Sequence, residues 1–374
     1  MSVTLAVLTV IAAAVLAFAN GANDVSKGVA TLAGTGRASY RTAIAWGTLW
    51  TFAGGLASLV ISVGLVHAFT SAIVGPDVLA LSTFPLAVAA GAAAWVIFAS
   101  ITGLPVSTTH ALTGAIVGVA LMAGGTSAIR WWILLSAIAA PLALSPLVSA
   151  AVGYGMHAVA ARVSPACVCV TEDTSLGAVG PDGTATGTLF TGRTVSTCTC
   201  AAGDENLLDR SAGDGWRMMP AGVLHWGAAA ALSFARGVND TAKIAAIGAF
   251  GLATLRADLW VAFVVVAVAM AVGSYAAGVR VTRTLGERVV QMDQDTGLAA
   301  SVVSAALVLA ASFYTLPVST THVATGAIVG AGLRQDPAAV RWHRVGGLVS
   351  AWIVTLPIAA SLAALAVWAL GAGA

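Results

Sequence analysis

The chain has 374 residues, room for two or three soluble domains, but 59% of them are apolar and only 9% are charged. Soluble domains carry roughly 25% charged residues, so this composition excludes a soluble globular protein and indicates a polytopic membrane protein. A net charge of +2 is too small to suggest a nucleic-acid binder. The 41 glycines, with abundant alanine, suit close packing of membrane helices.

The chain opens on an apolar run whose Ala17-Phe18-Ala19 looks like the end of a secretory signal. Residues 1–17 hold no Lys or Arg, so the basic start of a signal is missing. Residues 3–19 are therefore expected to form the first membrane helix. The next stretch, Asn20-Gly21-Ala22-Asn23-Asp24-Val25-Ser26-Lys27, puts an acid, a base and two amides where a membrane helix should be apolar. Its glycine is expected to mark a backbone break, with Asn or Asp capping the helix beyond it.

Further apolar blocks follow at about 43–66, 85–122, 131–160, 220–254, 258–279, 297–333 and 345–371. Several exceed the length of about 20 residues that one crossing needs. Blocks 85–122 and 297–333 carry Leu104-Pro105 and Leu316-Pro317 near their middles. Proline inside an apolar run ends or kinks a helix, so each is a broken helix or a hairpin. The total comes to roughly 10–12 membrane segments. Residues 161–219 form one polar, acidic segment and read as a linker. It holds all four cysteines, as Cys167-x-Cys169 and Cys198-x-Cys200. Paired thiolates suit a soft metal such as Zn²⁺, although the usual spacing has two intervening residues.

The chain contains an internal duplication. Phe18-Ala19-x-Gly21-x-Asn23-Asp24-x-x-Lys27 returns as Phe234-Ala235-x-Gly237-x-Asn239-Asp240-x-x-Lys243. Leu104-Pro105-Val106-Ser107-Thr108-Thr109-His110 returns as Leu316-Pro317-Val318-Ser319-Thr320-Thr321-His322. Lys27 and Lys243 are the only lysines in the protein. The domain order is then a first membrane repeat (1–160), the linker (161–219) and a second repeat (220–374). With the N-terminus outside, Arg37, Arg41, Arg162, Arg280, Arg283, Arg288, Arg334, Arg341 and Arg344 all fall inside; Arg130 and Arg256 alone fall outside. The positive-inside rule thus places both termini outside and the linker in the cytoplasm. It also inverts the second repeat relative to the first. The expected fold is all-α, with two inverted-topology repeats, broken helices and re-entrant hairpins. That is the pattern of a secondary transporter with its site near the midplane.

The motifs suggest a division of labour. A charge at the bilayer centre costs about 2.5–3.5 kcal/mol, so Asp24, Lys27, Asp240 and Lys243 need a reason to be there. They could form two purely structural pairs, since i, i+3 side chains meet on a helix. Hydrophobic replacements would serve packing as well, which favours a binding site. Asn23, Asp24, Asn239 and Asp240 suit a coupling cation, Na⁺ or H⁺, beside the substrate. Ser107, Thr108, Thr109, Ser319, Thr320 and Thr321, at helix N-termini, suit phosphate or a similar oxyanion. Alternatively these hydroxyls bond back to their own helices. Lys27 and Lys243 are candidates to compensate anion charge. His110 and His322 are candidates for proton or anion contact, against a plain structural role. Trp46, Trp131, Trp132, Trp216, Trp260 and Trp342 fall near block ends, as interfacial anchors do.

The duplicated Gly-x-Asn-Asp and Pro-Val-Ser-Thr-Thr-His motifs resemble those of the inorganic phosphate transporter (PiT) family, over both membrane halves. The resemblance implies phosphate symport driven by Na⁺ or H⁺ across the plasma membrane, with no bound cofactor. It also implies that some relatives carry metal–phosphate complexes and that some are assigned to sulfate. A homodimer is left open. One departure stands out: Ser26-Lys27-Gly28 replaces the last three residues of the family's usual Gly-Ala-Asn-Asp-Val-Ala-Asn-Ala, and a fixed ammonium there would take the place of a bound cation. Competing readings are a sulfate or other oxyanion symporter of the same fold, an intramembrane hydrolase built on Ser107/His110 or Ser319/His322, and a structural or sensor protein. Two intact copies argue against a hydrolase, which needs one site.

Overall fold

A computed structural model describes residues 1–70, 72–163, 167–171, 196–200 and 220–371. In the first half, α1 (Val3–Gly34) and α2 (Tyr40–Ile61) are followed by two short helices, α3 (Gly64–Ala68) and α4 (Pro76–Ala80). Next come α5 (Phe84–Thr102) and α6 (Thr108–Gly124), and then α7 (Trp131–Ile133), which continues through a π-helical stretch, Leu134–Ala139, into α8 (Ala140–Val163). The second half holds α9 (Pro220–Thr254), α10 (Leu259–Ala277), α11 (Val279–Arg288), α12 (Gln294–Phe313), α13 (Thr320–Gln335) and α14 (Trp342–Ala369). Between the halves, β1 (Cys167–Thr171) and β2 (Ser196–Cys200) pair antiparallel, with Cys167 opposite Cys200 and Cys169 opposite Cys198. The metal expectation for these cysteines rests on side chains outside the described residues.

The described residues are all-helical apart from that ribbon, and seven of the described helical runs are long and apolar enough to cross a membrane: α1, α2, α5, Trp131–Arg162, α10, α12 and α14. Helix α9 is longer still, 35 residues, but carries Arg236, Asp240 and Lys243 along its middle. Helices α6 and α13 are shorter, at 17 and 16 residues.

The expected backbone break at the first motif does not occur. Helix α1 runs without interruption from Val3 to Gly34, well past the first membrane segment expected at residues 3–19, and α9 likewise runs through its own motif. The glycines have a different cause. A Cβ on Gly21 would lie 2.0 Å from Met270 O, and one on Gly273 would lie 2.0 Å from Phe18 O. The other repeat copies this: a Cβ on Gly237 would lie 2.2 Å from Thr51 O, and one on Gly54 2.1 Å from Phe234 O. These glycines let α1 cross α10, and α9 cross α2, backbone against backbone. In lipid, where apolar surface gains little from mere burial, such close approach is the main source of packing energy.

The breaks do fall at the two prolines. Gly103, in the left-handed region at φ 78°, ends α5. The chain runs extended to Ser107, whose hydroxyl accepts from His110 N (3.2 Å) and starts α6. In the second half Ser319 caps α13 through His322 N (3.3 Å). The caps share one backbone shape, φ/ψ −99/114° at Ser107 and −96/118° at Ser319. Matching details extend outward. Isolated bridges pair Val74 with Ile129 and Val290 with Val340. Arg130 N donates to Ile73 O (2.8 Å) and Arg341 N to Val289 O (3.0 Å).

Helices α1 and α9 lie against each other in opposite directions. Gly28 packs on Ser233, Gly248 on Ala13 and Gly251 on Ala6. This antiparallel crossing brings the two motif copies to one level. Many basic residues gather at the end where α1 finishes. Arg37 donates to Gln294; Tyr40 donates to Glu287 (2.6 Å); Arg283 lies over the Tyr40 ring; Arg341 donates to Glu287 O (3.0 Å). Of the tryptophans near block ends, Trp131, Trp132, Trp260 and Trp342 are exposed, as anchors at a membrane–water boundary would be.

The crossing yields a direct expectation. Gly237→Val should lower thermal stability by about 1–3 kcal/mol or more, read as a reduced melting temperature in detergent. Gly155→Ala, where nothing lies within 4 Å of the new Cβ, should leave it unchanged.

Candidate functional site

The crossing of α1 and α9 buries five ionisable side chains: Asp24, Lys27, Arg236, Asp240 and Lys243, each at most 2% exposed. Among the described residues no other Asp, Glu, Lys or Arg is buried. Helical spacing pairs them as expected. Lys27 Nζ sits on the Asp24 carboxylate at i, i+3, and Lys243 Nζ lies 3.5 Å from Asp240 Oδ1 at the same spacing. The two pairs join through Asn20, whose Nδ2 donates to Asp24 Oδ2 (3.0 Å), Asp240 Oδ2 (3.3 Å) and Thr108 Oγ1 (2.9 Å).

Both hairpin turns reach this centre. Asn23 grips the first: its Nδ2 donates to Leu104 O (2.8 Å) and Ser100 Oγ (3.3 Å), and its Oδ1 accepts from Val106 N (3.1 Å). Asn239 grips the second: its Nδ2 reaches Val318 O (3.5 Å) and its Oδ1 accepts from Ser312 Oγ (3.2 Å). The asparagines that sequence assigns to a cation thus hold the unwound segments in place. The tips then exchange hydroxyls. Thr109 Oγ1 donates to Val318 O (3.1 Å), and Thr321 Oγ1 donates to Val106 O (2.7 Å). Helices α6 and α13 therefore start from neighbouring points. They run to opposite ends, α6 toward the bridge at Ile129 and α13 toward Arg334 and Val340. Their N-termini, with free N–H groups and positive dipole ends, converge on one place.

Ser107 and Ser319 use their hydroxyls as caps, so neither is aligned with a histidine ring as a nucleophile would be. Thr108 Oγ1 faces Asp24 Oδ2 at 3.5 Å, and Thr320 is buried beside its cap. His110 and His322 are buried in the first turns of α6 and α13. Their rings face each other with centroids 4.7 Å apart, and His322 Nδ1 bonds Leu142 O at 2.8 Å. His110 Nδ1 and His322 Nε2 are buried without partners.

Two residues that motif matching does not single out complete the centre, Asn20 and Arg236. They occupy equivalent positions of the two repeats, four residues before Asp24 and Asp240. The signal in the sequence is this mismatch: the flanking positions agree, while an amide stands opposite an arginine. Arg236 Nη2 donates to Thr51 Oγ1 (2.9 Å) and Ser274 Oγ (3.3 Å), leaving Nε and Nη1 buried and unpartnered. Three cations therefore face two carboxylates. A cleft of about 910 Å³ leads toward this region, lined by Ala22, Ser100, Arg280, Arg283 and Arg288 among others. Ser100 is the residue Asn23 holds.

Comparison with known proteins places this geometry. The model of the phosphate transporter family matches residues 20–363. A probable low-affinity inorganic phosphate transporter of Mycobacterium tuberculosis (strain CDC 1551 / Oshkosh) is 29% identical over 95% of this chain and 75% of its own. One from Bacillus subtilis (strain 168) is 28% identical over 97% of this chain and 96% of its own. In fold the chain matches a solved structure described as the sodium-dependent phosphate transporter, with a TM-score of 0.77 at 21% identity, covering 98% of this chain and 99% of that one. The matched residues span both Asn-Asp-x-x-Lys motifs and both hairpins, and the relatives are transporters rather than enzymes: the chain belongs to the phosphate transporter family.

Proposed function

We propose that this protein is a secondary carrier that imports inorganic phosphate together with a cation, Na⁺ or H⁺, by alternating access around the centre described above. One observation carries the reading most. The N-termini of α6 and α13 converge from opposite directions on a buried cluster with one surplus positive charge. Converging helix N-termini and buried cations are the physical requirements for holding a phosphate away from water. Under this reading Thr108, Thr109, Thr320 and Thr321 supply donors, and Asp24 and Asp240 tie cation and proton balance to the anion.

The antiparallel crossing of α1 and α9 supports an inverted pair of repeats, in which each half can rock against the other about a fixed midplane site. The basic cluster around Arg37, Arg283 and Arg341 supports an orientation with that end in the cytoplasm and both termini outside. The cleft lined by Arg280, Arg283 and Arg288 is then the cytoplasmic approach, and its arginines concentrate an anion there. Relatives named as inorganic phosphate transporters favour phosphate over sulfate as the oxyanion.

Reconstituted protein should accumulate labelled phosphate, in preference to sulfate, under an imposed Na⁺ or pH gradient. Absence of gradient-driven uptake of either anion would sink the proposal. Asp24→Asn and Asp240→Asn should each lower coupled uptake by about tenfold or more, equivalent to ~1.4 kcal/mol, while the protein still inserts and purifies. Unchanged uptake would show that these carboxylates only hold the helices together.

A further inference from the structure

We infer that Lys27 and Lys243 are tethered replacements for coupling cations, so that this carrier moves phosphate without Na⁺. The inference rests on the phosphate-carrier reading above and narrows its choice of ion.

Consider what surrounds each ammonium. Lys27 Nζ lies against the Asp24 carboxylate, Asn23 Oδ1 at 3.0 Å, Val106 O at 3.3 Å and Asn23 O at 3.4 Å. Lys243 Nζ lies against Val318 O at 2.8 Å, Thr109 Oγ1 at 2.8 Å and Asp240 Oδ1 at 3.5 Å. Every hydrogen-bond partner is an oxygen: a carboxylate, a backbone carbonyl of an unwound turn, and an amide, hydroxyl or further carbonyl oxygen; Lys243 Nζ also lies 6.0 Å from the centre of the Phe69 ring. Transporters use unwound carbonyls and carboxylates in just this way to hold Na⁺. Here a lysine fills both places, and the lysines are the only two in the protein. Each is 1% exposed, so neither swings freely into water. Val106 and Val318 are also the carbonyls on which Thr321 and Thr109 close the two tips. The ammonium groups therefore sit at the junction through which a bound cation would organise the hairpins.

Charge counting agrees. With Lys27, Lys243 and Arg236 facing Asp24 and Asp240, the centre carries one surplus positive charge. A monovalent phosphate neutralises it. Adding Na⁺ as well would restore an uncompensated charge in a low-dielectric region, where such charges are costly. Were residues 27 and 243 neutral, the same centre would be negative and would need cations before admitting an anion. Of the two coupling ions considered, only the proton enters without adding charge to the neutralised centre, because it travels on the anion itself, as H₂PO₄⁻ in place of HPO₄²⁻.

The test uses purified full-length protein. Wild-type proteoliposomes under an inward pH gradient should take up labelled phosphate equally, within about twofold, in Na⁺ or choline medium. Lys27→Ala, Lys243→Ala and the double variant should lose about tenfold or more of that uptake in choline and regain a substantial part in Na⁺. A readout independent of transport is thermal stability in detergent. Na⁺, compared with choline at equal ionic strength, should raise the melting temperature of the variants but not of wild type. Na⁺-stimulated uptake by wild type would overturn the inference. So would variants with no Na⁺-specific stabilisation, whether or not they transport; the lysines would then be structural partners of the aspartates. If wild type takes up no phosphate under any gradient, the carrier reading fails, and the Na⁺ response of the variants still decides whether the lysines fill cation sites. The single variants keep the test open if the double variant does not fold.

Discussion

The structure depends on burying five charged side chains where two helices cross. On insertion scales each costs about 2.5–3.5 kcal/mol at the bilayer centre, roughly 12–18 kcal/mol for the five before pairing. That is as large as the whole stability of an ordinary domain, about 5–15 kcal/mol. The cost must be offset locally, and the bonding pattern shows how. Lys27 and Lys243 pair with aspartates on their own helices. Asn20 ties Asp24 to Asp240 across the crossing. The unwound turns bring carbonyl oxygens to the ammonium groups. Remove either hairpin turn and a buried cation loses a main partner.

This requirement explains the parts of the fold that look unusual in isolation. A hairpin whose turn lies inside the bundle carries backbone polar groups that lipid cannot satisfy. Here Asn23 takes the Val106 N–H and the Leu104 carbonyl, and the partner hairpin's threonine takes the Val106 carbonyl. The glycines of α1, α2, α9 and α10 let the four helices approach closely enough for these short side chains to reach. Packing, polar satisfaction and charge pairing are thus one arrangement seen from three sides. The duplication halves the design problem, because each repeat supplies the hydroxyl that the other's turn requires.

Much of this was legible in the residues. The repeated Asn-Asp-x-x-Lys spacing set the ion pairs, and the repeated Pro-Val-Ser-Thr-Thr set the turns and caps, because i, i+3 contacts and capping are local. Less legible was anything that depended on which helix lies across from which. Gly21 and Gly237 read as breaks, since a glycine's conformational freedom is visible in sequence while a neighbouring carbonyl is not. Asn23 and Asn239 read as cation ligands, yet Asn23 donates to the Leu104 carbonyl of a distant turn, and Asn239 bonds the neighbouring Asp240 carboxylate and the Ser312 hydroxyl as well as reaching the Val318 carbonyl. Arg236 drew no role, because its value comes from sitting opposite Asn20 in a repeat that is otherwise matched. The order of the four cysteines on the paired strands was equally invisible from spacing.

The most direct test of the account is to locate the anion. A cryo-electron microscopy structure of the full-length protein in saturating phosphate and Na⁺-free buffer should show one tetrahedral density between the starts of α6 and α13. It should lie within hydrogen-bonding reach of the Thr108–Thr109 and Thr320–Thr321 segments and beside the buried charge cluster. Phosphate found only in the cleft of Arg280, Arg283 and Arg288, with the centre unchanged, would contradict the claim that the crossing of α1 and α9 is the transport site.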